Sequence, residues 1–307
     1  MNIMITGGSG LIGSEIQPIN NGKKYFKPKH SELELLDYTK LKQYCLDNNV
    51  SEIIHLAAKV GGVKGNQEYM LDFFTHNLAI NSNIIRICSE LNIKRCTFLL
   101  STCVFPHYVS YPVDETSVHN GEPHFTNYGY AYAKRMLEVG ARCLREKKGI
   151  TARCIIPCNV YGVNDNYHLD NGHVIPSLIH KCYLAKINNI PFQIWGKGIA
   201  TREFMFAKDI AKAIQLIHSD EREISNLMIV SPCISHSIRE TAETIAESFD
   251  YRGEIMFDET KPEGILHKPT LNLKFIKHYP NFEFTSLNKG IKQACDFVQK
   301  NYDVIRK

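Results

Sequence analysis

The stretch TGGSGLIG, residues 6–13, places glycines at positions 7, 10 and 13 directly behind the apolar run NIMI, residues 2–5. Glycines at this spacing let a chain leaving a strand turn tightly and bring its backbone close to a pyrophosphate, whose charge a helix N-terminus then meets. Taken alone, the pattern is a glycine-rich turn of a common kind. Its place, behind a strand and ahead of the apolar LIGSEI, points to the mouth of a dinucleotide fold, with a helix that Pro18 ends early.

Working outward, NIMITGG (2–8), EIIHLAA (52–58), RCTFLLS (95–101) and ARCIIPCNVYG (152–162) read as buried strands. Helical stretches at 38–48, about 72–91 and 130–147 lie between them. Strands alternating with helices in this way specify an α/β fold, a Rossmann-type doubly wound parallel sheet. After Gly162 the rhythm loosens: NDNYHLDNGH (164–173) is a polar loop, VIPSLIHKCYLAKI (174–187) a helix, FQIWGKG (192–198) a short strand and IRETAETIAESF (238–249) an amphipathic helix. The expected division is a nucleotide-binding domain of residues 1–162 plus about 203–230. The remainder, about 163–202 plus 231–307, forms a smaller C-terminal α/β substrate lobe.

The chain has 307 residues, enough for a full core, and 44% hydrophobic with 22% charged residues is ordinary for a globular protein. The net charge of +4 comes from dispersed basic residues, which favours a local pocket for an anionic ligand and speaks against nucleic acid as a partner. No apolar run approaches the roughly 20 residues of a membrane span, and the N-terminus lacks the layout of a signal peptide, so no membrane partner and a cytoplasmic location are expected. The ten cysteines lie mostly inside apolar segments and read as reduced packing thiols. None makes a zinc-type pair, so no metal is expected.

Two further motifs carry chemistry. YGYAYAKRMLE, residues 128–138, sets Tyr130 and Lys134 on one helical face, where the ammonium lowers the phenol's pKa toward working pH. In the second strand segment, YFKPKHSELELLD, Lys27 and Lys29 stand where NAD-binding folds carry an acid. They suit the 2′-phosphate of NADP; a solvated edge is the alternative.

With HLAAKVGG (55–62), STCVFP (101–106), YAYAK (130–134), NVYGVNDNYHLDNGHVIP (159–176), WGKGIATREF (195–204) and FDETKPEGILHK (257–268) added, the chain resembles the extended short-chain dehydrogenase/reductase family. Within it, the chain is similar to the GDP-4-keto-6-deoxy-mannose 3,5-epimerase/4-reductase branch. The resemblance runs from about Asn2 to Val298. It implies that Ser101 holds the C4 carbonyl, that Tyr130 gives the proton when NADPH reduces C4, and that Lys134 supports Tyr130 and binds the nicotinamide ribose. It also implies that Cys103 removes a proton beside the ketone, with His173 as partner acid on the opposite face. A 4-keto group acidifies C3 and C5, so a thiol and an imidazole on opposite sides can invert both centres before reduction. Taken alone, Cys103 reads as a buried hydrophobe and His173 as a polar loop residue; their joint placement favours function.

The same resemblance implies an NADP(H) site lined by Gly7, Gly10, Leu11, Ile12, Gly13, Lys27, Ala57, Ala58, Asn77, Lys134, Asn159, Val160 and His173, with Asp37 near the adenine. For the GDP-linked 4-keto sugar it implies Lys181, which replaces the family's usual arginine, together with Arg202, Glu263 and Lys268. Trp195 either borders the nucleotide or packs in the core. In the family's PDGTPRK segment this chain has PEGILHK, with Glu263 for aspartate and His267 for arginine. A related GDP-4-keto sugar, dideoxy or heptose, is therefore an alternative substrate. A non-catalytic NADP(H)-binding regulatory module is the alternative of another class. A homodimer built from two helices per subunit is implied by the family alone.

Overall fold

The computed structural model describes residues 2–19, 22–169, 171–261 and 265–307. Its main sheet holds β1 (Asn2–Thr6), β2 (Lys24–Phe26), β3 (Val50–His55), β4 (Arg95–Leu99), β5 (Thr151–Pro157) and a strand at Leu227–Val230, in the order β2-β1-β3-β4-β5 and then that last strand. Every pairing is parallel. Parallel strands need crossovers, and α1 (Tyr38–Asp47), α2 (Val63–Glu68), α3 (Met70–Glu90) and α4 (Tyr128–Lys148) supply them.

The strands alternate with period two between two buried faces. Met4, Ile53, Phe98, Cys154 and Ile156 join Leu41 of α1, Ile84 and Ile87 of α3 and Leu137 of α4 in one core. Ile3, Ile5, Ile54, Leu99 and Ile155 face the other.

The second half of the chain adds β6 (Asn159–Tyr161), α5 (Val174–Asn188), β7 (Phe192–Trp195), β8 (Thr201–Phe206), α6 (Ala207–Ser219), β9 (Leu227–Val230), β10 (Ser235–Ser237), α7 (Ile238–Ser248), β11 (Ile255–Asp258), α8 (Leu273–His278) and α9 (Leu287–Asn301). Helix α6 buries Ile210, Ile214 and Ile217 on the second face of the sheet, and β9 pairs with β5. A third core joins Tyr161 and Tyr167 to Ile179 of α5, Phe192 of β7, Ile245 of α7 and Ile291 of α9.

Two expectations are corrected. The helix foreseen after the glycines is a single 3-10 turn, Gly13–Glu15, after which Ile16 is extended. The strand foreseen at 152–162 is two strands: β5 ends at Pro157, which has no N–H to continue the ladder, and β6 pairs with β8 in a separate sheet of order β10-β8-β6. Helix α8 puts Phe275 into the sheet-side core with Met228 and Val230 of β9. All ten cysteines are free thiols, seven of them buried. Among the described residues no helix is long and apolar enough to cross a membrane.

Beneath the sheet's C-terminal edge, His55 is fully buried, with Nδ1 2.7 Å from Thr6 Oγ1 and Nε2 3.1 Å from Asn81 Oδ1. Burial, with Lys134 nearby, pushes its imidazole down to about 3. Burial also lowers His218, although Glu52 lies 3.3 Å away. In the unfolded chain both titrate at about 6.5. As pH falls below that value the unfolded state takes up protons the folded state refuses, so folding stability declines until the folded pKa is reached. Urea midpoints are expected to drop between pH 7 and pH 5, and to drop less steeply in His55→Gln. Equal slopes in the two proteins would rule out His55 as the source.

Candidate active site

The glycine turn closes on itself and on the next strand. Gly7 has φ +70°, a left-handed conformation, and an added Cβ would stand 2.8 Å from Ala57 N. A Cβ on Gly13 would stand 2.2 Å from Gly7 O. Both positions therefore require glycine, and the turn presents bare backbone at the end of β1, beside the half-buried Leu11 and Ile12. Gly10 N–H donates to Gly7 O at 3.0 Å, and Ala57 N–H to Thr6 Oγ1 at 3.3 Å. The adjoining loop, with Ala57 and Ala58, is held by the buried Asn77. That amide accepts from Lys59 N at 2.8 Å and donates to Lys59 O at 2.9 Å and Phe73 O at 2.7 Å.

Lys27 turns inward. Its ammonium donates to Gly13 O at 2.8 Å and Ile16 O at 2.5 Å, where the short turn stops. Burial lowers its pKa. Lys29 is exposed. Asp37 caps α1 by accepting from Lys40 N at 3.0 Å, a bond that lowers its pKa. Asn159 donates to Glu203 O at 2.9 Å, and Val160 packs on the sheet-side core. Asn164 donates to Ser14 Oγ at 3.0 Å, which joins the loop after β6 to the glycine turn.

Four candidate catalytic residues meet where β4 runs out and α4 begins. Ser101 caps the 3-10 turn Thr102–Val104, its Oγ accepting from Cys103 N at 3.3 Å. Lys134, buried on α4, donates from Nζ to Leu99 O at 2.8 Å, and burial pulls its pKa down to about 8. Its ammonium lies 5.8 Å from the Tyr130 ring centroid. The expected lowering of the Tyr130 phenol is corrected: burial, with Cys103 adding to it, pushes that phenol up. Desolvation outweighs a lysine whose ammonium is engaged by a backbone carbonyl. The consequence is a phenol that keeps its proton, as an acid must.

Cys103 faces a pocket shared with Tyr111, His107, His124, Asn127 and Lys268. His173 stands at the N-cap of α5 without making a side-chain cap bond. The residue is exposed, and the surrounding chain together with Arg306 lowers its pKa. The preceding residue lies against the loop before α2, since a Cβ on Gly62 would meet Gly172 O at 3.4 Å.

On the smaller lobe, Lys181 sets its ammonium 4.5 Å from the Trp195 ring centroid, and Lys261 approaches the same ring at 5.9 Å. Trp195 is 49% exposed, which excludes the core-packing reading. Arg202 donates to Thr201 O at 2.6 Å, and burial lowers its guanidinium. Lys268 is lowered by burial and by Arg202, with Cys103 opposing. Two cations crowded together in this way are suited to a polyanion. His267 pairs with Thr201 Oγ1 at 2.6 Å. Glu263 lies outside the described residues. Sequence reading missed His107, Tyr111, His124 and Asn127, which no local motif marks.

A family model described as the NAD dependent epimerase/dehydratase family matches residues 3–229. The chain is 39% identical over 317 aligned residues to a GDP-L-fucose synthase of Dictyostelium discoideum, covering 99% of this chain and 97% of that one. It is 31% identical to a probable GDP-L-fucose synthase of Drosophila melanogaster, covering 99% of each. A crystal structure of a GDP-L-fucose synthetase from Naegleria fowleri bound to NADP superimposes with a TM-score of 0.92 at 33% identity, covering 100% of this chain and 95% of that one.

Proposed function

This chain belongs to the NAD dependent epimerase/dehydratase family and is an NADP-dependent nucleotide-sugar epimerase/reductase; on that premise we propose that it converts GDP-4-keto-6-deoxy-D-mannose to GDP-L-fucose. The observation that carries the reading is the meeting of Ser101, Cys103, Tyr130 and Lys134 at the end of β4, with Cys103 lining a pocket there. The glycine turn, which a Cβ at Gly7 or Gly13 would fill, fits the pyrophosphate of a dinucleotide. NADPH, when bound there, supplies hydride to C4.

The residues do the rest. Ser101 holds the C4 carbonyl oxygen, and the protonated Tyr130 phenol donates to that oxygen as it gains charge. Lys134 offers an ammonium beside the phenol and to the ribose. Before reduction, Cys103 takes the proton at C3 or C5 and His173 returns one to the opposite face, the resulting enolate being stabilised at the C4 oxygen. Arg202, Lys268 and Lys181 meet the diphosphate, and Trp195 borders the guanosine. Leu71 on α3, with Met136 and Val139 on α4, leaves apolar surface exposed on two helices that pack together, in keeping with a homodimer that joins through them.

Incubation with NADPH and GDP-4-keto-6-deoxy-mannose in deuterated water tests the reading. NADPH oxidation with deuterium at both C3 and C5 by NMR is the expected result. Reduction without deuterium redirects the assignment to another GDP-4-keto sugar. Bound NADP(H) with no turnover of any such sugar would replace an enzyme with a regulatory module.

A further inference from the structure

Arg135 follows Lys134 on α4 and, like it, is buried. Among the described residues no carboxylate pairs with it, and its guanidinium is turned on backbone carbonyls instead. Nε donates to Val104 O at 2.7 Å and Nη1 to Gly121 O at 2.7 Å. Nη2 has no hydrogen-bond partner among the described residues, and the fork's central carbon lies 5.3 Å from the Tyr132 ring centroid. Taking a guanidinium out of water without a counter-charge is costly, so an apolar side chain would serve a mere packing role better.

The two carbonyls lie on two arms of one ribbon. After the turn Thr102–Val104 the chain runs antiparallel to residues 121–123, with His107 N–H donating to Glu122 O at 2.8 Å and Pro106 bridged to Pro123. Lys134 holds the other end of the catalytic segment through Leu99 O at 2.8 Å. Neighbouring residues of one helix thus hold Leu99 and Val104, and Ser101 and Cys103 lie between them. The two ends are not equivalent. Leu100 N–H donates to Ile155 O at 2.8 Å, so the sheet also fixes the chain that enters Ser101. Cys103 stands at the far end, one residue from the carbonyl that Arg135 holds.

We propose that Arg135 is the positioning residue of Cys103, so that proton exchange beside the ketone depends on it while hydride transfer to C4 does not. The inference rests on the proposed function. Abstraction from carbon needs the sulfur aligned with one C–H bond, and a small displacement of a reacting group lowers the rate steeply. The reduction uses Ser101, Tyr130 and Lys134, and the Arg135 side chain hydrogen-bonds to none of them.

The test follows deuterium incorporation at C3 and C5 of GDP-4-keto-6-deoxy-mannose by NMR beside NADPH oxidation. Arg135→Met keeps a long unbranched side chain and removes every donor. Arg135→Lys keeps the charge but lacks the planar fork that reaches both carbonyls. In Arg135→Met the exchange rate is expected to fall about 10- to 100-fold while NADPH oxidation stays within about threefold of wild type, so that product of uninverted configuration accumulates. Arg135→Lys is expected to fall between Arg135→Met and wild type. A residue that only stabilises the fold would lower the thermal midpoint and the active fraction, which scales both rates alike and leaves their ratio as it was. An unchanged ratio in folded Arg135→Met would therefore overturn the inference and leave the proposed function intact. Should Arg135→Met not fold, the ratio in Arg135→Lys decides: a fall bears the inference out, and the wild-type ratio overturns it. Reduction without deuterium by wild type, or no turnover, would overturn the proposed function and this inference with it.

Discussion

In Tyr130→Phe, reduction at C4 falls by about 100- to 10,000-fold, the range that a positioned general acid contributes. Burial, with Cys103 nearby, pushes the phenol up, so it is fully protonated at neutral pH and is the group that can give a proton to the oxygen at C4. Phenylalanine fills the same space and removes only the O–H. In the proposed mechanism exchange at C3 and C5 runs through Cys103 and His173, so the variant is expected to go on incorporating deuterium into a ketone it scarcely reduces. Stopped-flow measurement of NADPH oxidation beside NMR of the unreduced sugar separates the two. Reduction within threefold of wild type would remove Tyr130 from the acid's role.

The second large effect is the converse. Cys103→Ala and His173→Gln each lower deuterium incorporation by about 100- to 10,000-fold, as loss of a proton-transfer group does. Reduction then acts on the uninverted ketone and yields a 6-deoxy sugar whose C3 and C5 keep the substrate's configuration. The Cys103 variant loses the first proton abstraction. The His173 variant loses the return of a proton to the opposite face. NMR of the isolated product decides, since configuration at C3 and C5 sets the ring couplings. Undiminished deuterium at both carbons in Cys103→Ala would dismiss the thiol as the base.

Much of the site was legible because its signals are short-range. Glycines at 7, 10 and 13 answer to the geometry of one turn, and two of them stand where no Cβ fits. Tyr130 and Lys134 share a helical face because four residues separate them. Alternation in NIMIT sorts Met4 to one face of the sheet and Ile3 and Ile5 to the other.

What misled was local pattern overruled by distant contacts. LIGSEI has the apolar content of a helix, but the chain extends at Ile16 and Lys27, reaching back from the end of β2, donates to the carbonyls of Gly13 and Ile16. ARCIIPCNVYG is apolar throughout, yet Pro157 ends the ladder and β6 finds its partner in β8, over forty residues on. The Tyr130 phenol is shifted by how much protein surrounds it, and spacing carries no measure of that.

The sequence by itself determined the order of strands and helices, the glycine turn, the Tyr130–Lys134 pair and the thiol behind β4, because each is written within a few residues of backbone geometry. Only the tertiary structure decided that β9 lies beside β5, that Lys27 turns inward, and that His107 and His124 share a pocket with Cys103 and Lys268. Those outcomes depend on burial and on hydrogen bonds between residues far apart in the chain, where no local periodicity encodes the partner.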